Sequence, residues 1–183
     1  MSELIVLVDD GNVPIGTAEK LSSHHANTPL HRGFSCYVFN DKGQVLVTQR
    51  ALKKKVWPGV WTNTVCGHPG PGENVVDAIN RRLDYELGMT AQDFEAILPD
   101  YRYKTPPFKG IIENELCPVY VARLTSQPQP NADEVEDLTW MTWDEYSEDL
   151  LADKGNKYSY WCKDQLAELR KNKKFLNWLK ASA

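Results

Sequence analysis

Residues 67–89 read GHPGPGENVVDAINRRLDYELGM, and this stretch decides the fold. Gly67 is followed by Glu73 after five residues and by Arg81 after a further seven. Apolar side chains recur at spacings of three and four residues, at Val75, Val76, Ile79, Leu83 and Leu87, and Gly88 follows directly. An apolar stripe of this period that ends at a glycine is typical of an amphipathic helix. The sequence therefore predicts a loop, a helix over 74–87 and a second loop.

Strand patterns lie on both sides of this helix. The expected strands are LIVLVD at 4–9, FSCYVF at 34–39, QVLVTQ at 44–49, ELCPVYVAR at 115–123 and EVEDLTW at 134–140. The residues NDKG at 40–43 are typical of a hairpin turn between the second and the third. Helices are expected from Trp143 and from Tyr158 onward. The basic run Arg170, Lys171, Lys173 and Lys174 is interpreted as a solvated face of the last helix.

The bulk composition favours one compact domain over residues 1–183. Of the 183 residues 42% are hydrophobic, and no repeat or linker divides the chain. Its parts are an N-terminal strand region at 1–30, the loop–helix–loop at 67–89 and C-terminal helices at 143–183. Strands and helices together predict the α/β (α+β) class.

Charge and hydropathy exclude several classes of partner. The net charge of −4 gives no global reason to bind nucleic acid or a membrane surface. No run approaches the roughly 18 apolar residues of a membrane span, and MSELIVLVDDGN does not resemble a signal peptide. Cys36, Cys66, Cys117 and Cys162 lie far apart, as free thiols would. We expect a cytoplasmic protein, and a monomer because no apolar stripe demands a partner.

Histidines and glutamates indicate a metal site. The four histidines, His24, His25, His31 and His68, all lie in the first 70 residues among polar loops and strand ends. Glu113 and Glu115 are two apart on an expected strand, so both carboxylates point to one side. Two such carboxylates are costly unless a cation or protons compensate them. Imidazoles with carboxylates suit Mn²⁺, Mg²⁺, Fe²⁺ or Zn²⁺, and solvated strand-end charges remain the alternative.

The stretch at 67–89 resembles the Nudix box, in which glutamates hold divalent metal against a diphosphate. Gly67, Glu73, Arg81, Leu83, Glu86, Gly88 and Met89 match its pattern. Two expected glutamates are replaced by Arg82 and Tyr85, which weakens a hydrolytic reading. Arg82 and Glu86 share a helix face and could hold phosphate oxygens and Mg²⁺, or could form an ordinary salt bridge. The resemblance implies a mixed β-sheet sandwiched between helices.

Three further segments resemble type I isopentenyl diphosphate isomerase. They are SSHHANTPLHRGFS at 22–35, RALKKKVWPGVWTNTVCGHP at 50–69 and IIENELCPV at 111–119, and the likeness runs from about Val13 to Trp161. The resemblance implies a metal, Mn²⁺ or else Mg²⁺ or Zn²⁺, on His24, His31, His68, Glu113 and Glu115. It implies a second ion, Mg²⁺, between the substrate diphosphate, Glu86 and the main-chain carbonyl of Cys66. It also implies that Lys20, Arg50, Lys54 and Arg82 contact the diphosphate.

The implied reaction moves a double bond in isopentenyl diphosphate to form dimethylallyl diphosphate, a step of isoprenoid biosynthesis. An unactivated alkene needs an acid for one carbon, a base for another and a pocket that excludes water. The candidates are Cys66 and Glu115, with Tyr103 nearby and Trp161 over the reacting carbons. Which of Cys66 and Glu115 acts first is left open. Cys66 could instead be a small buried hydrophobe, and Trp161 could also be a packing residue.

Two other functions remain open for this sequence. One is a Nudix hydrolase that cuts a nucleoside or prenyl diphosphate, on the same fold. The other is a non-catalytic module that binds metal and a diphosphate. Trp57, Trp61, Trp140, Trp143 and Trp178 are interpreted as packing residues.

Overall fold

Two β-sheets and five helices make up residues 3–181, the part of the chain that the computed structural model describes. The strands are β1 (Leu4–Val8), β2 (Pro14–Glu19), β3 (His31–Arg32), β4 (Phe34–Phe39), β5 (Val45–Arg50), β6 (Trp61–Thr62), β7 (Val65–Gly67), β8 (Ala91–Leu98), β9 (Arg102–Lys104), β10 (Asn114–Leu116), β11 (Val119–Leu124) and β12 (Val135–Met141). The helices are α1 (Lys20–Ser23), α2 (Val75–Leu87), α3 (Trp143–Ala152), α4 (Tyr160–Leu169) and α5 (Lys173–Lys180). No helix in this part of the chain has the length and apolar character needed to span a bilayer.

The strands form two mixed sheets. The first has the order β2-β1-β3-β10-β9, and the second has the order β12-β5-β4-β11-β8, with β6 on β5 and β7 on β4. The pairs β3–β10 and β4–β11 are parallel, and the other pairs are antiparallel. The predicted hairpin of β4 and β5 exists, but the two strands pair only at Phe39 and Val45. Most of their hydrogen bonds go to strands distant in sequence.

The single strand predicted at 115–123 was wrong, because two strands occupy this range. β10 ends at Leu116 in the first sheet, and β11 begins at Val119 in the second. Pro118 lies at the break and has no N–H to donate to a ladder. The neighbouring chain crosses alongside, with Gly33 N–H donating to the Leu116 carbonyl at 2.9 Å. Glu115 therefore lies in the first sheet, paired with His31, and Glu113 directly precedes β10.

The seven-stranded sheet is covered by helices on both faces, as predicted. All six residues of β4 are buried. Phe34, Cys36 and Val38 belong to the core beneath α2. Tyr37 and Phe39 belong to the core beneath the C-terminal helices. Alternating side chains of one strand therefore serve two cores.

The helix predicted at 74–87 is confirmed as α2. The Asn74 side chain accepts a hydrogen bond from Val76 N–H and caps its start. Gly88 ends it in a left-handed conformation, with φ of 53°. A Cβ at Gly67 would lie 3.0 Å from the Phe34 ring and 3.1 Å from Arg82 Cγ, so the glycine permits close packing of β7 on the helix.

The basic run at 170–174 lies at a break between two helices, so its placement on one helix face was wrong. Arg170 follows α4, and α5 begins at Lys173. The Asn172 side chain accepts a hydrogen bond from Phe175 N–H and starts the new helix. An N-cap of this kind favours a fresh helix start over continuation.

Packing of α2 on the sheet predicts a large stability difference between two leucines. Leu83 is fully buried, whereas Leu151 on α3 is 54% exposed. We expect Leu83→Ala to lower the free energy of unfolding by about 2–5 kcal/mol, because it leaves a cavity. Leu151→Ala should change it by less than about 1 kcal/mol. Urea unfolding followed by circular dichroism measures both, and equal losses would contradict this packing.

Candidate functional site

A pocket of ≈ 480 Å³ opens between the first sheet and helices α1, α2 and α4. Twelve of the thirteen site residues proposed from the sequence line it: Lys20, His24, Arg50, Lys54, Cys66, His68, Arg82, Glu86, Tyr103, Glu113, Glu115 and Trp161. His31 is fully buried behind this wall, in contact with the other imidazoles. The structure therefore brings together residues spread over more than 140 positions of the sequence.

Three imidazoles and a carboxylate form a compact group at one end of the pocket. The ring centroids of His24, His31 and His68 are 5.0–5.5 Å apart. One ligand-type atom from each of these residues and one from Glu113 all lie within 4.8 Å of one another. Nitrogen and oxygen atoms this close are suited to a divalent cation.

Main-chain carbonyls fix two of the imidazole tautomers. His24 Nδ1 donates to the Lys20 carbonyl at 2.6 Å, and His31 Nδ1 donates to the Pro29 carbonyl at 2.8 Å. A carbonyl only accepts, so each Nδ1 carries the hydrogen and each Nε2 offers a lone pair to the group. Such an outer hydrogen bond is the usual support of a metal-binding histidine.

The atoms that face the centre of this group lack hydrogen-bond partners. They are His24 Nε2, His31 Nε2, His68 Nδ1 and Glu113 Oε2, all of them buried. His24 Nε2 lies 3.1 Å from Glu113 Oε2. A lone pair and a carboxylate repel at this distance unless a proton or a metal cation compensates them. The donor set therefore fits a divalent cation.

Glu115 lies beside the group and contacts two of its imidazoles. Its Oε1 is 3.0 Å from His68 Nε2 and 3.7 Å from His31 Nε2. Burial alone would raise the pKa of the Glu115 carboxyl, but the contacts with His31 and His68 outweigh burial and lower it. Burial lowers the pKa of His68 to about 4, against the opposing effect of Glu115. Near neutral pH these contacts favour an ionised Glu115 beside a neutral His68.

Gly33 provides the space for the Glu115 carboxylate. A Cβ at position 33 would overlap with both the carboxylate carbon and its oxygens. Sequence reasoning did not identify this glycine, because the close approach depends on the parallel pairing of β3 and β10. By contrast, His25 is exposed and lies outside the group, with Nδ1 accepting from Asn27 N–H at 3.0 Å. Of these two neighbouring histidines, only His24 belongs to the group.

Cations also line the pocket, and Lys20, Lys54 and Arg82 each contact a carboxylate of the protein. Lys20 contacts Glu3 at 2.9 Å, and Lys54 contacts Glu134 at 2.5 Å. Arg82 contacts Glu86 at 2.5 Å and Glu134 at 3.2 Å. The Arg82–Glu86 pair is thus part of a larger, largely buried charge network.

Arg50 has a structural contact as well as a place in the pocket wall. Its guanidinium donates to the carbonyls of Val56 at 3.0 Å and Trp57 at 3.1 Å. These bonds hold the loop that carries Lys54. Glu3 and Glu134 also line the pocket. Sequence reasoning did not identify these two carboxylates, and their sequence neighbourhoods carry no signal that could have found them.

Cys66 and Tyr103 are the other polar groups of the pocket. Burial raises the pKa of the Cys66 thiol to about 12, and the thiol donates to Asn63 Oδ1 at 2.9 Å. Tyr103 lies directly opposite Glu115 in the β9–β10 pair, so the two side chains share a face of the sheet. Burial raises the pKa of the Tyr103 hydroxyl well above its usual value. Both groups therefore favour their protonated forms.

Two tryptophans form an aromatic wall. Trp161 is 4% exposed, and its ring centroid lies 5.8 Å from that of Trp57 in an edge-on arrangement. Trp57 also stacks on Phe108 at 4.4 Å. Trp57 lines the pocket, so its interpretation as packing alone was incomplete. Its φ of 54° is rare for a bulky residue, and such strain clusters at functional sites.

Comparison with known proteins places these features in a family. A model of the NUDIX domain matches residues 29–162. The chain is 48% identical over 167 residues to an isopentenyl-diphosphate Delta-isomerase of Saccharopolyspora erythraea, which covers 91% of this chain and 86% of that one. It is 46% identical over 176 residues to the protein of the same name from Salmonella typhi, which covers 96% and 97%.

Solved structures with low sequence identity share the fold. A crystal structure of a Deinococcus radiodurans protein has a TM-score of 0.70 at 17% identity and covers 91% of this chain and 98% of that one. A MutT NUDIX hydrolase from Burkholderia pseudomallei has a TM-score of 0.57 at 21% identity, with 75% and 96% covered. The matched domain and the relatives at 46–48% identity over nearly the whole chain show that this protein belongs to the isopentenyl-diphosphate Delta-isomerase family of NUDIX-domain proteins.

Proposed function

We propose that this protein interconverts isopentenyl diphosphate and dimethylallyl diphosphate, in isoprenoid biosynthesis. One structural observation supports this proposal in addition to family membership. A single pocket combines a cation-lined part, a histidine–carboxylate group and two further proton-bearing side chains, Cys66 and Tyr103. The first holds a diphosphate, and the others act on the hydrocarbon part of the same molecule.

The diphosphate is held by Lys20, Arg50, Lys54 and Arg82. In the described structure the lysines and Arg82 contact carboxylates, which keep their side chains in the pocket before substrate arrives. Diphosphate oxygens then compete with Glu3, Glu86 and Glu134 for the same donors. Charge-assisted bonds from several cations to phosphate oxygens are strong and directional. They fix the substrate by the end that does not react.

Two divalent cations complete the site in this proposal. His24, His31, His68, Glu113 and Glu115 would hold one, for which Mn²⁺ is our first choice and Mg²⁺ or Zn²⁺ the alternatives. Glu86 and the main-chain carbonyl of Cys66 would hold Mg²⁺ together with the diphosphate. When bound, these cations supply positive charge that neutralises the carboxylates and the diphosphate.

The double bond moves by one proton gain and one proton loss. A proton added to the terminal alkene carbon takes the π electron pair into a new C–H bond and leaves a tertiary cation. Loss of a proton from the chain carbon on the other side returns its bonding pair as the new double bond. Cys66 and Glu115 are the two groups that give and take these protons, and the donor in one direction is the acceptor in the other.

The aromatic residues protect the cationic stage. Water in the pocket would add to a tertiary cation, so the reacting carbons must be enclosed. Trp161 supplies a π face that favours positive charge, and Trp57 and Tyr103 complete the apolar enclosure. Tyr103 keeps its hydroxyl hydrogen and lies opposite Glu115, where it can orient the carboxylate.

Diphosphate hydrolysis is the less well supported alternative. Of the two box positions where glutamates are replaced, Arg82 is paired with Glu86, and Tyr85 is half exposed. Glu73 of the box is held by Arg81 through contacts of 2.7 and 2.8 Å. Few carboxylates remain for the several metals that activate water at a diphosphate. A non-catalytic binding module would not need Cys66 and Glu115 in the same pocket.

We further propose a cytoplasmic monomer. The four cysteines are free, which suits a reducing compartment. The exposed apolar side chains of the described residues, such as Ile15, Leu21 and Leu151, belong to separate elements. Scattered residues of this kind do not require a partner.

Conversion of substrate tests the function directly. We expect the protein with Mg²⁺ and Mn²⁺ to form dimethylallyl diphosphate from isopentenyl diphosphate, with both phosphorus atoms retained. Proton and phosphorus NMR follow the two changes in one sample. Release of phosphate or pyrophosphate without the isomer would refute the isomerase and favour the hydrolase.

Cys66→Ala tests the assignment of the thiol. We expect kcat to fall at least about 100-fold, because one proton-transfer group is removed. Cys36→Ala is the matched control, since Cys36 is also a buried thiol but packs under α2. Melting temperatures of both variants check that the fold is intact. A folded Cys66→Ala protein with the wild-type kcat would remove Cys66 from the mechanism.

The neighbours His24 and His25 test the metal site. We expect His24→Ala to weaken binding of Mn²⁺ or Zn²⁺ at least about tenfold in calorimetric titrations, because a ligand is lost. His25→Ala should bind as the wild type does, since His25 lies outside the group. Equal affinities of the two variants would show that the imidazole group is not the metal site.

A further inference from the structure

Thr62 and Asn63 connect two walls of the pocket that are far apart in sequence. The Trp161 indole N–H donates to Thr62 Oγ1 at 2.9 Å. Thr62 Oγ1 lies 3.0 Å from Asn63 Oδ1, and Cys66 Sγ lies 2.9 Å from the same oxygen. A continuous chain of hydrogen bonds therefore runs from the indole to the thiol. We call Thr62 and Asn63 the buried link.

The direction of every bond in this chain is determined by chemistry. An indole N–H can only donate, so Thr62 Oγ1 is the acceptor and keeps its own hydrogen for another partner. The Asn63 amide nitrogen donates to the carbonyls of Cys36 at 3.0 Å and Val65 at 2.9 Å. Its two hydrogens are thereby used, and Oδ1 must be the end that faces Thr62 and Cys66. Both Thr62 and Cys66 consequently donate to it.

Burial makes this arrangement costly to lose. Asn63 is fully buried, and Thr62 is 5% exposed. Without the Thr62 hydroxyl, the buried Trp161 N–H would lose its acceptor, and the other polar atoms near Thr62 Oγ1, which are Ser159 Oγ, Cys162 Sγ and Asn63 Oδ1, lie 3.0–3.4 Å from that oxygen. The indole would have to rotate or shift to find another partner. Such a movement would change the face that it presents to the pocket.

The hydrogen bonds of Thr62 differ from those of its neighbours in the same sheet. The hydroxyls of Thr48 and Thr64 donate to main-chain carbonyls, of Asn63 at 3.0 Å and of Leu46 at 2.7 Å. These bonds stabilise strand packing. The bonds of Thr62 join side chains, and the side chains at the two ends of the link line the pocket. Strand packing alone does not require the side-chain bonds of Thr62.

We propose that Thr62 and Asn63 are positioning residues, which hold the Trp161 ring and the Cys66 sulfur in a fixed orientation relative to each other. The proposal rests on the proposed function, in which Cys66 exchanges a proton with carbon and Trp161 covers the cation. Both groups must act on the same few carbon atoms, and a displacement of about 1 Å can lower the rate about 100-fold. The buried link sets this alignment before substrate binds.

The link bonds to the side chains that are proposed to act on carbon, the Trp161 indole and the Cys66 thiol. The cations that are proposed to hold the diphosphate contact other groups. Lys20 contacts Glu3, Lys54 contacts Glu134, Arg82 contacts Glu86 and Glu134, and Arg50 contacts the carbonyls of Val56 and Trp57. The sulfur also has a second neighbour, Ser35 Oγ at 3.4 Å. Loss of the link should therefore misalign Cys66 and Trp161 without releasing the substrate. This pattern is a fall in kcat at a nearly constant KM.

Three threonine variants test the proposal by steady-state kinetics. Thr62→Val keeps the side-chain shape and removes the hydroxyl, and we expect kcat to fall about 10–100-fold with KM changed less than about threefold. Thr62→Ser restores the hydroxyl and should recover most of kcat. Thr48→Val is the matched control, because it removes a buried hydroxyl that donates to main-chain carbonyls, of Asn63 and Thr64, and leaves the side-chain bonds of the link in place. It should lower the melting temperature with little effect on kcat.

Hydrogen exchange of the Trp161 indole gives a second readout that does not depend on activity. In ¹⁵N-labelled protein, this N–H should exchange slowly in the wild type, Thr62→Ser and Thr48→Val, and at least about tenfold faster in Thr62→Val, since the acceptor is lost. A Thr62→Val protein with the wild-type kcat, or with unchanged indole exchange, would overturn the proposal. If the proposed function were wrong, no variant and no wild-type protein would convert substrate, and the exchange rates alone would decide whether the link holds Trp161.

Discussion

Two buried carboxylates contact three imidazoles, and the rest of the site depends on how the negative charge of these carboxylates is compensated. Glu113 and Glu115 lie where the first sheet approaches β7, nearly out of contact with water. Their negative charge is costly there unless positive charge or hydrogen-bond donors compensate it. Nδ1 of His24 and Nδ1 of His31 each donate a hydrogen bond to a main-chain carbonyl. In the neutral imidazoles, Nε2 therefore faces the carboxylates with a lone pair instead of an N–H. A proton or a metal cation must compensate these groups, and the donor set fits a divalent cation.

The fold separates the charges of the pocket into two regions. The cations Lys20, Lys54 and Arg82 come from α1, the loop after β5 and α2, and their carboxylate partners keep them in place. The histidine–carboxylate group comes mainly from the first sheet, and the aromatic wall comes from α4 and the loop that carries Trp57. A substrate with a diphosphate head and a short apolar tail matches this division. In the proposed function, α2 contributes Arg82 as a cation for the diphosphate, at a position where the Nudix box has a glutamate.

Local sequence signals predicted the parts of the site that depend on local structure. The period of Ile79, Leu83 and Leu87 was enough to predict α2, and the two-residue spacing of Glu113 and Glu115 was enough to predict their common side. The resemblance to isomerases implied His24, which lies in the imidazole group, and its role as a metal ligand stays a prediction. Pairings between strands that are distant in sequence could not be predicted from local sequence patterns. The break at Pro118, the space at Gly33, the charges of Glu3 and Glu134, and the place of Trp57 in the wall all arise from contacts that form only when the two sheets assemble.

In the proposed reaction, protein groups in this pocket exchange protons with carbon while the diphosphate remains intact. In the proposed mechanism the Cys66 thiol, and Glu115 once it has taken up a proton, exchange hydrogen with solvent between turnovers, so the solvent isotope should enter the substrate. Incubation with isopentenyl diphosphate in D₂O, followed by mass spectrometry of the recovered five-carbon diphosphates, measures this directly. We predict dimethylallyl diphosphate that carries deuterium on carbon, with the diphosphate unbroken. Recovered diphosphates without deuterium, or loss of phosphate, would contradict the claim.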